Sequence, residues 1–207
     1  MNKDNKSNVL VRSDGTGMGE TLPAGPKNTS NNRGRGKVLI AYASQFGTTG
    51  EVAETIGNVL RDDAYLVEAK PIGNITNLGD YDAVIIGSAI QYDQWMSEAT
   101  EFVRDNQNVL DKVPVAFFFT CLTLSRKSQK SCRQAQAYSD RLAVSFSQLN
   151  PVSIGGFAGV LNYSKIPALP RFAAKCLFAF LGVKEGDHRD WPAIRSWAEN
   201  TSANLST

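Results

Sequence analysis

The sequence predicts an α/β fold in which helices cover both faces of a doubly wound, five-stranded parallel sheet. Continuous apolar runs recur along the chain, the strongest at 38–43, 83–87 and 115–121, and such runs are typical of parallel strands that are buried on both faces. Segments with apolar residues at helical spacing separate these runs. Alternating strands and helices favour right-handed crossovers, and the expected order of five such strands is 2-1-3-4-5.

The predicted elements begin after Gly36, where the composition changes. In chain order they are a strand at 38–43, a helix at 52–60, strands at 65–69 and 83–87, a helix at 97–110, a strand at 115–121, a helix at 129–148, a strand at 152–157 and a helix at 191–204. Asp190 is suited to cap the last helix, and Pro192 is tolerated in its first turn. In a sheet of this order the ligand crevice lies outside the carboxyl ends of the first, third and fourth strands.

Two segments stand apart from this pattern. Residues 1–36 are rich in Asn, Gly, Ser and Lys and have almost no apolar period, so we predict a disordered tail ahead of one domain at 37–207. Inside that domain a helical insertion is expected at about 161–186, because its apolar residues follow the i, i+3, i+4 pattern of one helix face. These residues are Leu169, Phe172, Ala173, Cys176, Leu177, Phe180 and Leu181.

Composition excludes several classes of function. Residues 1–36 carry six Lys or Arg against three Asp or Glu, which leaves 16 against 17, a charge of −1, for the rest of the chain. A near-neutral domain has no electrostatic footprint for nucleic acid. Cys121, Cys132 and Cys176 show no CxxC spacing and His188 is the single histidine, so neither a metal site nor Ser-His-Asp chemistry is expected.

The first predicted strand ends in a loop that is suited to hold a phosphate group. Ser44–Thr49 reads Ser-Gln-Phe-Gly-Thr-Thr, so a phosphate here would meet N–H groups at a helix N-terminus and the hydroxyls of Ser44, Thr48 and Thr49. Gly47 allows the backbone to approach closely. The loop lacks the lysine that nucleoside triphosphate loops need, and its donors suit a monophosphate such as that of FMN. The competing interpretation is a polar turn that binds nothing.

Two further loops are expected at the same edge of the sheet. Small residues at 87–89 permit backbone contact with a flat ring, and either Tyr92 or Trp95 is placed to stack on it. The alternative is that both aromatic side chains pack against the following helix. In the loop at 120–124 the backbone is placed to contact the edge of the ring, whereas Cys121, a thiol at a buried strand end, is expected to be inert.

At these three loops the sequence resembles the flavodoxin-like family, and more closely its quinone-dependent protoporphyrinogen IX dehydrogenases. The resemblance covers residues 37 to about 200 and is carried by the segments YASQFGTT, GSAIQYDQW, PVAFFFTCLTLSRK, FAGVLNY and GDHRDWPAIRSWA. It implies a flavodoxin-like fold that binds FMN without a covalent bond. The implied contacts are Ser44, Gln45, Phe46, Gly47, Thr48 and Thr49, then Ser88, Ala89, Ile90, Gln91 and Tyr92, and finally Thr120, Cys121, Leu122, Thr123 and Leu124.

Two departures from ordinary flavodoxins bear on this resemblance. Phe46 stands where those proteins have a hydroxyl, which removes one side-chain contact to the phosphate but leaves the amide. The loop at 120–124 has no aromatic residue, so the ring is expected to be stacked on one face only. The other face is then open to a substrate.

The resemblance further implies an FMN-dependent enzyme that oxidises protoporphyrinogen IX, or a similar reduced substrate, in heme biosynthesis, with a quinone as electron acceptor. No catalytic acid or base is expected, because the flavin carries the difficult chemistry. Arg126 and Lys127 lie in a basic run after the third loop and are the candidate contacts for the substrate's carboxylates. The alternative for this run is a solvated start of the next helix.

Other functions are compatible with the same sequence. A flavodoxin-type electron carrier and an NAD(P)H:quinone reductase are the main alternatives, although a domain with a charge of −1 lacks the acidic surface that steers carriers to their partners. A flavin-binding domain with a docking or sensory role is the third.

The insertion bears on where the protein works. A helix that docks on the core is the simpler interpretation, but residues 168–181 also offer apolar surface for a quinone or for peripheral contact with the inner face of the membrane. No apolar run approaches the ~20 residues of a membrane span, and residues 1–30 lack the apolar region of a signal peptide. A cytoplasmic location is therefore expected.

Overall fold

The computed structural model describes residues 34–126, 128–162, 164 and 184–205. The strands are β1 (Lys37–Ala43), β2 (Leu66–Pro71), β3 (Ala83–Gln91), β4 (Gln94–Trp95), β5 (Val115–Cys121), β6 (Ser153–Ala158), β7 (Val160–Leu161) and β8 (Gly186–Asp187). The helices are α1 (Thr48–Asp62), α2 (Ser97–Asp105), α3 (Gln107–Leu110), α4 (Gln129–Ser145) and α5 (Trp191–Asn204). Residues 1–33 of the tail predicted at 1–36, and most of the helical insertion predicted at about 161–186, lie outside the described residues.

Five parallel strands form the sheet in the order β2-β1-β3-β5-β6. Counted among the parallel strands alone, this is the predicted order 2-1-3-4-5, so the predicted fold class is confirmed. Two additions were not predicted from the sequence. The short strand β4 pairs antiparallel with the end of β3, and β7 and β8 form a separate two-stranded antiparallel sheet.

The central strand β5 supplies the largest of the fully buried side chains. Phe117, Phe118 and Phe119 are all fully buried. Gly87 of β3 is the register partner of Phe118, and a Cβ atom added to Gly87 would lie 2.0 Å from the Phe118 ring. Gly156 of β6 has the same relation to Phe119, at 2.5 Å. Glycines on both neighbouring strands therefore make the room that three consecutive phenyl rings need.

Helices cover both faces of this sheet, as the pattern predicted. On one face Phe102 of α2 and Leu142 of α4 pack in a cluster with Phe117. On the other face Ile56 of α1 and Ile194 of α5 pack in a second cluster. The Asp190 side chain accepts a hydrogen bond from the Ala193 N–H, which confirms the predicted cap of α5.

Several boundaries differ from the prediction. The helix expected at 97–110 is divided at Asn106, whose backbone leaves helical geometry (φ −108°, ψ 12°) while its side-chain amide donates to the Phe102 carbonyl. The strand expected to end at Gly87 continues to Gln91, so residues 88–91 are strand rather than loop. At the start of the described chain, Gly36 accepts a hydrogen bond from the Leu66 N–H.

We predict that Gly87→Ala lowers the free energy of unfolding by about 1–3 kcal/mol, because the added methyl group overlaps a fully buried ring that has no room to move. Urea denaturation measures the change. Gly73→Ala is the matched control, since a Cβ atom there meets nothing closer than the Glu98 side chain at 3.8 Å. Equal stability of the two variants would contradict the packing described here.

Candidate functional site

The sheet brings the three predicted segments to one edge. Parallel pairing aligns Ala43 with Ser88 and Ala89 with Thr120, so the chain leaves β1, β3 and β5 side by side. A cavity of about 190 Å³ opens there. The predicted residues that line it are Ser44, Gln45, Phe46, Thr48, Thr49, Ala89, Ile90, Gln91, Thr120, Cys121 and Leu122.

The first segment ends in the N-terminus of α1. Gly47 is the N-cap residue in a left-handed conformation (φ 85°, ψ −14°) and provides no side chain to accept from the first-turn amides. Thr49 N–H donates to the Ser44 hydroxyl at 3.3 Å. Amides at a helix start, together with the hydroxyl of Thr48 at the cavity wall, form a donor set for an anionic oxygen group.

A buried hydrogen bond joins the first segment to the third. The hydroxyls of Thr49 and Thr120 are 3.0 Å apart, and the two residues are only 0% and 4% exposed. At the surface, the Gln91 side-chain amide donates to the Gln45 side-chain carbonyl at 2.6 Å. The walls of the cleft are thus connected to each other as well as to the sheet.

The second segment forms a hairpin rather than a loop. Ile90 pairs with Trp95 and Gln91 with Gln94, and the two residues at the tip, Tyr92 and Asp93, both have positive φ angles of 48° and 61°. Such turns normally carry Asn and Gly. A tyrosine held in this conformation stores strain, and strain of this kind concentrates at functional sites.

Contacts with α4 hold the strained turn in place. The Asp93 carboxylate accepts hydrogen bonds from the Tyr138 hydroxyl and from the Gln134 amide, at 3.0 Å for the latter. The Arg141 guanidinium donates to the Asp93 carbonyl at 3.0 Å. Burial, with the neighbouring Asp93 carboxylate, raises the pKa of Tyr138 above its ordinary value, so this hydroxyl stays protonated as a donor.

Two aromatic residues of the hairpin take different positions. The Tyr92 side chain is 99% exposed at the tip and does not line the cavity, so its contact with a flavin stays a prediction. Trp95 is 7% exposed and packs edge-on against Phe117, with ring centroids 5.3 Å apart. Trp95 therefore belongs to the core beside β5, and it does not line the cleft. Ser88 is also internal, since its hydroxyl accepts from the Met96 N–H and donates to the Ala89 carbonyl.

The third segment is a short 3-10 turn, Leu122–Ser125. Cys121 precedes it, and burial raises the pKa of its thiol to about 11, which fits the predicted inert role. Thr123 accepts from the Arg126 N–H and Leu124 packs against the core; neither lines the cavity. Arg126 is exposed beyond the turn, and Lys127 lies outside the described residues.

The sequence reasoning missed a fourth wall, made by Gly159 and Val160. Gly159 N–H donates to the Cys121 carbonyl at 3.1 Å, and the Gly159 carbonyl accepts from the His188 N–H. These residues follow β6, the fifth parallel strand. Because the carboxyl ends of all parallel strands meet at one edge, the end of that strand was a signal for a site residue.

An arginine beside the cleft balances a carboxylate near the start of α1. Arg189 has a side chain that is only 7% exposed and forms ion pairs of 2.6 Å with both Glu51 and Asp187. Its guanidinium also lies over the Trp191 ring, 4.3 Å from the centroid. Hydrogen bonds from Arg189 lower the pKa of Asp187. Glu51 would otherwise repel an anion at the first turn of α1, so Arg189 makes that position compatible with a phosphate.

The cavity wall itself is uncharged. Among the residues that the structure describes, no Lys, Arg, Asp or Glu lines it. The same part of the chain contains no group of three or more His, Cys, Asp or Glu side chains arranged to hold a metal ion. Hydroxyls and amides at one end, with Ala89, Ile90 and Leu122 at the other, fit a ligand that joins a phosphate to an apolar ring.

Comparisons with known proteins agree with this geometry. A family model described as a flavodoxin domain matches residues 39–185. A protoporphyrinogen IX dehydrogenase (quinone) from Leishmania major is 29% identical over 176 residues, covering 81% of this chain and 75% of that protein. The enzyme of the same name from Escherichia coli (strain K12) is 27% identical over 169 residues, covering 78% of this chain and 92% of that protein.

Solved structures share the fold at low sequence identity. A flavodoxin from the domain Archaea has a TM-score of 0.51 and 13% identity, covering 83% of this chain and 99% of the other. An NADH:FMN oxidoreductase solved in its apo form has a TM-score of 0.53 and 13% identity, covering 83% and 91%.

We predict that Thr120→Val lowers the free energy of unfolding by about 1–3 kcal/mol, because it leaves the buried Thr49 hydroxyl without its partner. The double variant Thr49→Val/Thr120→Val is the control and is expected to lose less, since no unpaired hydroxyl remains. Urea denaturation of the flavin-free protein compares Thr49→Val, Thr120→Val and the double variant. A double variant that loses the sum of the single losses would contradict a hydrogen bond between these side chains.

Proposed function

This chain belongs to the flavodoxin domain family, and from that membership we propose that it binds FMN and acts as an FMN-dependent dehydrogenase. The proposed substrate is protoporphyrinogen IX or a similar reduced compound, the acceptor is a quinone, and the role is in heme biosynthesis. The matched residues 39–185 make up most of the chain. Both curated relatives reported above carry the name protoporphyrinogen IX dehydrogenase (quinone), which supports an oxidoreductase of this type.

The observation that carries the proposal is the uncharged cleft at the strand ends, with a helix N-terminus at one end. The phosphate would be held by the hydroxyls of Ser44, Thr48 and Thr49 and by amides of the first turn of α1. The flavin ring would lie against the segments at 89–91 and 120–122, which both line the cavity. When bound, FMN supplies the capacity to accept two electrons from an organic substrate and to pass them to a quinone.

The residues around the flavin ring would orient it and exclude water from it. Ile90 and Leu122 offer apolar contact, and Val160 closes the side that β6 and β7 form. Tyr92 is fully exposed at the hairpin tip, where it is available to cover one face. Phe46 is 42% exposed at the phosphate end, which is consistent with one side-chain contact fewer than a hydroxyl would give.

A porphyrinogen carries anionic carboxylates, and the chain offers basic residues near the cleft. Arg126 is exposed directly after the 3-10 turn Leu122–Ser125, the first residue of which lines the cavity. We assign Arg126 and Lys127 to the carboxylates of the substrate, since charge-assisted hydrogen bonds from arginine are strong and directional. Overall, the substrate loses two electrons and two protons in each turnover, and the quinone becomes the quinol.

The proposed setting of the reaction is the cytoplasm. Within the described parts of the chain, no helix has both the length and the apolar character that a bilayer crossing requires. Peripheral contact with the membrane through 168–181, a disordered tail at 1–36 and a helical insertion at about 161–186 remain predictions from the sequence.

We predict that the apoprotein binds FMN more tightly than riboflavin, because only FMN has a phosphate for the start of α1. Thr48→Val is expected to weaken FMN binding about tenfold, the equivalent of one hydrogen bond to a charged group, and to leave riboflavin binding unchanged. Quenching of flavin fluorescence measures both affinities. Thr55→Val, on the same helix, is the control because its hydroxyl donates to the Glu51 carbonyl outside the cleft. Equal affinity for FMN and riboflavin would count against this orientation.

We predict that the FMN-loaded protein converts protoporphyrinogen into fluorescent porphyrin under anaerobic conditions only when a menaquinone analogue is added. Arg126→Ala/Lys127→Ala is expected to raise the KM for porphyrinogen without changing FMN affinity. Arg195→Ala, an exposed change on α5, is the control. Rapid reduction by NADPH without porphyrin formation would instead favour a quinone reductase, and reduction only by a partner reductase would favour an electron carrier.

A further inference from the structure

A second cavity lies under the β3–β4 hairpin, between α2 and α4. Its volume is about 250 Å³. Ile90, Trp95, Leu142 and Phe146 form its apolar part, and side chains of the hairpin and of both helices form its polar part. Ile90 is the one described residue that lines this cavity as well as the cleft. The two cavities are therefore neighbours, and among the described residues they share Ile90 alone.

Trp95 contributes the surface of its ring, rather than its indole N–H, to this wall. Trp95 is 7% exposed, and its indole Nε1–H has no hydrogen-bond partner in the part of the chain that the structure describes. A buried indole N–H normally finds a partner, because leaving it unpaired costs free energy. The Trp197 Nε1–H is also buried without an acceptor, but Trp197 lines neither cavity. The Trp95 Nε1 atom is closed off from the cavity as well, so Trp95 offers a ligand the surface of its ring and not its N–H.

The charges around the cavity favour an anion. Arg104 lines it, is exposed, and has no ion pair or hydrogen bond with any described side chain. Arg141 lines it too, held by its bond to the Asp93 carbonyl and by its position over the Tyr138 ring, 5.2 Å from the centroid. Asp93 is the one carboxylate on the described wall, and it already accepts from Tyr138 and Gln134. Two cations against one carboxylate leave a net positive charge.

We propose that this cavity binds a small apolar ring that carries a single carboxylate. The ring packs against Ile90, Trp95 and Phe146. The carboxylate accepts hydrogen bonds from the Arg104 guanidinium, which are stronger than bonds between neutral groups. Pockets for drug-sized ligands measure about 300–1,000 Å³, so this smaller space suits one or two fused rings. A tetrapyrrole is too large to enter.

The site goes beyond the proposed function and does not require a flavin. Its position nevertheless matters to the cleft, because Ile90 and Asp93, which precede and follow Tyr92 in the hairpin, both line this cavity. A ligand that contacts both flanks of this turn restrains the residue at its tip.

Titration of the full-length ¹⁵N-labelled protein, followed through the tryptophan indole signals, tests the proposal. The probes are 1-naphthoate, the neutral ring 1-naphthalenemethanol, and inorganic phosphate, each with and without saturating FMN. Loss of one signal in Trp95→Phe assigns the Trp95 indole. We expect 1-naphthoate to move this signal saturably, with Trp197 as the unshifted internal control, and the other two probes to bind much more weakly.

Matched variants locate the site. Arg104→Gln is expected to weaken 1-naphthoate about tenfold, whereas Arg133→Gln, exposed on α4 but outside the wall, is expected to have no effect. Ser145→Trp is expected to block the site, and Val144→Trp, at an adjacent exposed position that does not line it, is expected to leave it open.

Three results would overturn the proposal. The first is the absence of a saturable shift at Trp95. The second is binding of the neutral ring or of phosphate as tight as that of 1-naphthoate, or an Arg104→Gln variant with unchanged affinity. The third is displacement of 1-naphthoate by FMN, which would place the ligand in the cleft. Failure of the protein to bind FMN would leave the expected shifts unchanged, so the two proposals fail separately.

Discussion

The shared register of the parallel strands is the constraint on which the cleft depends. Ala43 pairs with Ser88, Ala89 with Thr120, and Cys121 with Ala158. The parallel pairing of four strands therefore ends at the same level of the sheet. Each departing segment contributes only one wall, and none would form a ligand site alone. The hydrogen bond between the first and third segments exists because that register brings two threonine side chains from distant parts of the sequence to one depth.

Packing in the middle of the sheet maintains this register. The ring of Phe118 occupies the space above Gly87, and Phe119 occupies the space above Gly156. A shift of one residue along β5 would turn its side chains to the opposite face and replace glycine by a larger neighbour. The pairs Gly87–Phe118 and Gly156–Phe119 thus help to set where the strands end, although these side chains do not contact the strand ends.

The sequence was sufficient to predict those elements that a local pattern of apolar and polar residues defines. Apolar runs predicted the five strands, and the polar loop after β1 indicated that a helix follows, although α1 begins at Thr48 rather than at the predicted residue 52. The hairpin was missed because Gln91-Tyr92-Asp93-Gln94 has no Asn-Gly signal for a turn, and contacts with α4 stabilise it instead. Gly159 and Val160 were missed although they directly follow the fifth parallel strand, and the pairing of β7 with β8 that holds Val160 spans more than twenty intervening residues. Non-local contacts were the part that pattern reasoning could not supply.

The strained turn connects these observations. Non-glycine residues in a left-handed conformation cost of order 1–3 kcal/mol each, so Tyr92 and Asp93 keep their geometry only while Tyr138 and Arg141 hold Asp93. The conformation at the rim of the cleft is therefore determined by α4 rather than by the hairpin's own sequence. Because the same α4 side chains line the second cavity, a change there alters the restraint on Tyr92 without moving the sheet. Such an arrangement allows the hairpin at the rim to change while the start of α1, held by the strand register, stays in place.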